Sequence, residues 1–93
     1  MTPQDKISAL DRVVNSESFN IANHINESHY TLFEKAIAEL ENEPKVLLNE
    51  VLDALKKGET LNIQTKLKGL LHYIKQHPEV VTGPLAILID LFT

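Results

Sequence analysis

Apolar residues recur at three- and four-residue steps through most of the chain, which is the spacing of one face of an α-helix. Such stripes run through residues 3–14, 21–40, 44–58 and 61–77. The second stripe is either one helix or breaks near Asn26, where Ser28 could cap a new start. Pro44 either ends the second helix or begins the third, because proline cannot donate a hydrogen bond in a helix interior. The pattern therefore predicts at least four helices.

The last two stripes predict finer detail. Gly58 offers a left-handed stop to the third helix. On the fourth helix, Gln64 falls on the outer face, away from the residues that converge on the apolar face: Ile63, Leu67, Leu70, Leu71 and Ile74.

The closing segment, residues 84–92, is apolar at nearly every position. A membrane span needs about 20 apolar residues, and Asp90 interrupts this shorter run, so we do not expect an anchor. Pro84 suits the first turn of a helix. A helix that is apolar on all sides is buried on all sides. We expect this one to be shared between the chain's own core and a subunit interface, with a purely monomeric core helix as the alternative. The expected interface residues are Leu85, Ile87, Leu88, Ile89, Leu91 and Phe92.

The composition is that of a helical bundle: 93 residues, 43% of them hydrophobic, with three glycines, four prolines and no tryptophan. No cysteine is present, which excludes disulfides and thiolate metal sites and fits a reducing compartment. No signal peptide is visible at the N-terminus, so we expect a cytoplasmic protein. These observations predict a single all-α domain over residues 1–93, a small bundle of four to five helices that forms a dimer.

Charge divides the chain into two halves. Residues 1–44 carry eight acids against three bases, whereas residues 45–93 carry six lysines against five acids. Part of the acidic half could meet a basic protein surface or mimic nucleic acid, or it is an ordinary exposed face. The acidic candidates are Glu34, Glu39, Glu41 and Glu43. The basic candidates for phosphate contacts are Lys56, Lys57, Lys66, Lys68 and Lys75. Because the chain has a single arginine and these lysines are interleaved with only one aromatic residue, Tyr73, we do not expect nucleic acid as the partner.

Candidate chemistry is sparse. The four histidines, His24, His29, His72 and His77, form two pairs that are five residues apart, unlike the four-residue spacing that places two metal ligands together on a helix. The sequence has no GxSxG motif, no cysteine nucleophile and no glycine-rich phosphate loop. We therefore predict a protein that is not an enzyme and that uses no metal or cofactor.

The run "VLLNEVLDALKKGETLNIQTKLKGLLHYIKQHPEVV", followed by "LAILIDLF", resembles the YmgB/AriR-type family of small bacterial regulators. The shared pattern is an apolar helix ending in glycine, a polar connector, a helix with paired leucines and a last apolar helix. The matching places are held by Gly58, Leu61, Leu70, Leu71, His72, Ile74 and residues 85–92. The resemblance covers residues 45–92. Lys75 stands where the family has an acidic residue, the link to the last helix is shorter, and residues 1–44 exceed the family's usual N-terminus.

This resemblance implies a small helical dimer that acts as a non-catalytic connector in biofilm, acid-stress or phosphorelay control. The acidic residues admit a second hypothesis, a dedicated inhibitor such as an immunity protein, an antitoxin or a phage-encoded anti-defence protein. A DNA-binding regulator is the third. From the sequence we expect a regulatory protein that binds another protein and changes its activity.

Overall fold

The computed structural model describes residues 3–16 and 25–92. Its helices are α1 (Pro3–Val14), α2 (Tyr30–Glu39), α3 (Asn42–Lys57), α4 (Thr60–Gln76) and α5 (Gly83–Phe92). Short 3₁₀ turns, Glu27–His29 and Pro78–Val80, precede α2 and α5. No strand occurs within these described ranges. The predicted all-α bundle is confirmed, with five α-helices in the described part of the chain.

Each helix packs chiefly against two others, in the cyclic order α1, α4, α3, α2, α5 and back to α1. The five apolar stripes thus face one shared core, in which no described polar side chain is buried. Because each helix in this ring covers part of its neighbours' apolar faces, the core is filled by side chains from all five helices, and none of these described helices runs through the middle of the bundle. The largest fully buried side chains are Phe33, Leu10, Leu48, Leu67, Leu70, Ile74, Leu88 and Ile89.

Polar bonds fix α1 on its two neighbours. Lys6 Nζ donates to both carboxylate oxygens of Asp90 on α5, at 2.6 and 2.8 Å. On the α4 side, Lys75 Nζ lies 3.3 Å from a carboxylate oxygen of Asp11. Gln64 Nε2 donates to the carbonyl of Val14 at 2.7 Å and so satisfies an acceptor at the end of α1. Periodicity placed Gln64 on the outer face of α4, but this bond to α1 holds it half-buried.

The sequence left open whether the second stripe is one helix or breaks near Asn26. The described residues show a break, since the chain is not helical at Asn26. Asn26 caps the 3₁₀ turn that leads into α2, and Ser28 lies inside that turn: the Asn26 side chain accepts from the Ser28 N–H at 2.9 Å, and the Asn26 N–H donates to His29 Nδ1 at 3.1 Å. The α2 helix itself begins after His29, whose side chain makes no cap bond to α2. Residues 21–24, where the sequence predicts an earlier helical stretch, lie outside the described ranges. Pro44 belongs to the start of a helix and not to the end of one, because it lies buried in the first turn of α3, which begins at Asn42.

A left-handed glycine separates α3 from α4, as the sequence predicts. Gly58 has φ 70°, and its N–H donates to the carbonyls of Ala54 and Leu55. By contrast, Gly69 lies inside α4, and a Cβ built there would be 4.0 Å from Leu47 Cδ2, an ordinary contact. The left-handed backbone at residue 58 therefore requires glycine, whereas the helical backbone at residue 69 does not.

The same substitution at these two glycines should change stability in opposite directions. Gly58→Ala forces a Cβ into the left-handed region and should cost about 1–2 kcal/mol. Gly69→Ala improves helix propensity without a clash and should stabilise by about 1 kcal/mol. Urea denaturation of both variants measures the two changes. A stabilised Gly58→Ala would contradict the observed turn.

Most of the closing helix is covered by the chain itself. Leu85, Leu88, Ile89 and Phe92 are buried in the core, because α1 and α2 flank α5 on both sides. Ile87 is 51% exposed, and Leu91 is partly exposed. Four of the six expected interface residues thus face the core of one chain, so the predicted dimer contact can use only Ile87 and the accessible edge of Leu91.

Among the described helices, none combines the length and hydropathy of a membrane span.

Candidate functional site

The four acidic candidates lie along α2 and its link to α3, a stretch here named the acidic edge: Glu34 and Glu39 on α2, Glu41 in the link, and Glu43 in the first turn of α3. All four are exposed. None of them forms an ion pair with a described residue. Lys35 and Lys45 lie in the same stretch of chain and are exposed as well. The acidic edge therefore presents carboxylates whose charge no described lysine neutralises by direct contact.

The backbone brings the end of α2 and the starts of α3 and α5 close to Glu39. Leu40 and Glu41 are extended, and Asn42 has φ 61°, a left-handed conformation that asparagine tolerates better than most residues. The carboxylate of Glu39 lies beside Gly83, the first residue of α5, with Oε2 3.6 Å from the position of a Cβ there. Helix N-termini carry partial positive charge and favour nearby carboxylates. The starts of α3 and α5 therefore favour Glu43 and Glu39, whereas Glu34 lies in the second turn of α2.

An exposed apolar residue, Ile87, lies on the face of α5 that begins beside Glu39 of the acidic edge. Gly83 and Ile87 are four residues apart, so they share one helix face, and both are exposed. Gly83 is the residue beside Glu39, and Ile87 lies about 6 Å further along the axis of α5, because each helical residue adds 1.5 Å. Sequence reasoning named Glu39 and Ile87 separately, and only the packing of α2 on α5 places them on adjoining surface.

The five basic candidates do not form one unpaired surface. Lys57 lies 3.0 Å from Asp53, Lys66 lies 3.6 Å from Glu50, and Lys75 pairs with Asp11 of α1. The hydrogen bond and Coulomb attraction of Asp53 raise the pKa of Lys57 above its usual 10.5.

The other two lysines stand apart from these pairs. Lys56 Nζ lies over the Tyr30 ring, 5.9 Å from its centroid. Lys68 is exposed and has no ion pair within the described ranges. Carboxylates thus neutralise three of the five basic candidates, a compensation that the acidic edge lacks.

This pairing makes retention on DNA unfavourable. We expect the protein to pass through a DNA column without delay even at about 50 mM salt, where phosphate contacts are stronger than at physiological salt. Glu50→Gln combined with Asp53→Asn frees Lys66 and Lys57 and should increase retention. Salt-sensitive retention of the unchanged protein would contradict the expectation.

An open groove of about 570 Å³ runs between the outer faces of α3 and α4. Its lining is mostly polar, and the Lys57–Asp53 and Lys66–Glu50 pairs lie in it. Val46, 57% exposed, is its apolar member. This groove was not predicted from the sequence. The signal that could have indicated it is the row of residues 46, 50, 53 and 57, which share the face of α3 opposite the core. The full lining is Val46, Asn49, Glu50, Asp53, Lys57, Asn62 and Lys66.

Leu61 is the most exposed large apolar residue of the described chain, at 80%. It lies in the first turn of α4, where the family resemblance gives it a matching place. Val46, Leu61 and Ile87 lie on three different helices. Single exposed apolar side chains are normal on a protein surface, so Leu61 by itself does not define a site.

The described histidines have local partners. His29 accepts the Asn26 N–H, and His72 Nε2 lies 3.3 Å from Gln76 Nε2. His77 stacks on Tyr73 with ring centroids 4.6 Å apart and has Nδ1 3.4 Å from Glu79. Three potential metal ligands do not gather anywhere in residues 3–16 and 25–92, and His24 lies outside these ranges. The expectations of no metal, no cofactor and no catalysis stay predictions.

Comparison of the chain with protein-family models, with curated proteins and with solved structures finds no match. The resemblance of residues 45–92 to the YmgB/AriR-type family therefore stays a prediction.

Proposed function

We propose that this chain is a non-catalytic protein-binding domain that places its acidic edge on a basic surface of another protein and thereby changes that protein's activity. The observation that carries the proposal is the asymmetry of charge pairing. Three of the five basic candidates are paired with carboxylates, whereas no carboxylate of the acidic edge is paired within the described chain. A basic partner surface would supply the missing counter-charges.

A protein partner fits this asymmetry better than nucleic acid does, because phosphates would be repelled by the acidic edge. Surface charges act over about 8–10 Å at physiological salt. Complementary charges raise the association rate and fix orientation more than they add affinity. The acidic edge would therefore steer the partner, and other contacts would hold it.

Ile87 is the best-placed residue for such a contact. It is half-exposed on the α5 face that begins beside Glu39. Stable interfaces combine an apolar centre with a charged rim. Ile87, with the accessible edge of Leu91, would supply the apolar part, and the acidic edge would supply the charged rim on one side. The same apolar face is where a second copy of the chain would bind if the protein is a dimer.

The acidic edge also supports a narrower second function, the inhibition of a protein whose active surface is basic. Carboxylates can occupy a site that normally binds phosphates, so the inhibitor would compete with that protein's substrate. A connector in stress, biofilm or phosphorelay control, as the family resemblance implies, would instead leave its partner's substrate site open. Competition with substrate in an activity assay of the captured partner separates the two roles. The cysteine-free composition suits either role in the reducing cytoplasm.

Neutralising the acidic edge should weaken the binding of the partner without abolishing it. We expect Glu39→Gln, Glu41→Gln and Glu43→Gln together to weaken binding about tenfold at low salt, since three exposed charge pairs contribute about 0.2–1 kcal/mol each. The matched control, Glu27→Gln, Glu59→Gln and Glu79→Gln, changes net charge equally at exposed positions elsewhere. The measurement is capture from an extract of the source organism, followed by calorimetry with the identified partner.

The control should keep the affinity of the unchanged protein, and added salt should weaken the unchanged complex more than that of the edge variant. A partner that binds both triple variants equally well would refute the role of the acidic edge. If binding to that partner also survives Ile87→Asp, the proposed binding surface is excluded as a whole.

A further inference from the structure

We draw no further inference here: the strongest candidate, the open groove between α3 and α4 with Val46 in its lining, has its lysines already paired with its own carboxylates, and nothing in the structure shows what covers it.

Discussion

Replacing Leu88 by aspartate is expected to abolish cooperative folding. Leu88 is fully buried in the middle of α5, between α1 and α2. An unpaired carboxylate there loses its hydration and finds no partner, because no described polar side chain is buried in this core. Native domains are stable by only about 5–15 kcal/mol in total, so we expect the loss to exceed what a 93-residue bundle can absorb. Circular dichroism during heating and in urea tests this expectation.

The neighbouring position provides the control. Ile87→Asp introduces the same charge at a side chain that is 51% exposed, and we expect it to fold with a melting temperature close to that of the unchanged protein. Light scattering on this variant also tests the predicted dimer. If α5 joins two copies, the mass should fall from dimer to monomer. A folded Leu88→Asp with an unchanged melting curve would contradict the burial of α5.

Phe33→Ala is expected to lower the free energy of unfolding by about 3–5 kcal/mol. Phe33 is fully buried on α2, and its ring meets the Phe92 ring edge to face, with centroids 5.8 Å apart and an interplanar angle of 69°. Truncation to alanine removes this contact and leaves a cavity between α2 and α5. Urea denaturation, analysed with a constant slope, gives the difference in free energy.

A double-mutant cycle isolates the ring contact from the general loss of volume. Phe33→Leu and Phe92→Leu keep apolar bulk at each position, and we expect a coupling of about 0.5–1.5 kcal/mol between them. Phe33→Leu alone should cost clearly less than Phe33→Ala. Strictly additive effects would mean that the two rings contribute only as separate apolar side chains.

The candidate site was predictable residue by residue but not as a surface. Counting charges identified Glu34, Glu39, Glu41 and Glu43, and it identified five lysines as well. The sequence did not show that Asp11 neutralises Lys75, because the two residues lie far apart in the chain and meet only when α1 packs on α4. An ion pair between helices depends on which helices are neighbours, and helical periodicity carries no information on that.

Except for the start of α2, the sequence by itself determined the helices. Ile63, Leu67, Leu70, Leu71 and Ile74 were expected on one face of α4, and all five are buried. Gly58 was expected to end α3, and it does so in a left-handed conformation. These features are local, since they follow from the 3.6-residue period and from the backbone freedom of glycine.

Only the tertiary structure decided what covers α5. An apolar helix gives the same sequence signal whether its own chain or a second copy covers it. The answer came from α1 and α2, which flank α5 and bury Leu88 while they leave Ile87 exposed. The Lys6–Asp90 pair joins residues 84 positions apart and was invisible to any local pattern. Burial and charge pairing are properties of packed neighbours, so they are fixed only when distant segments meet.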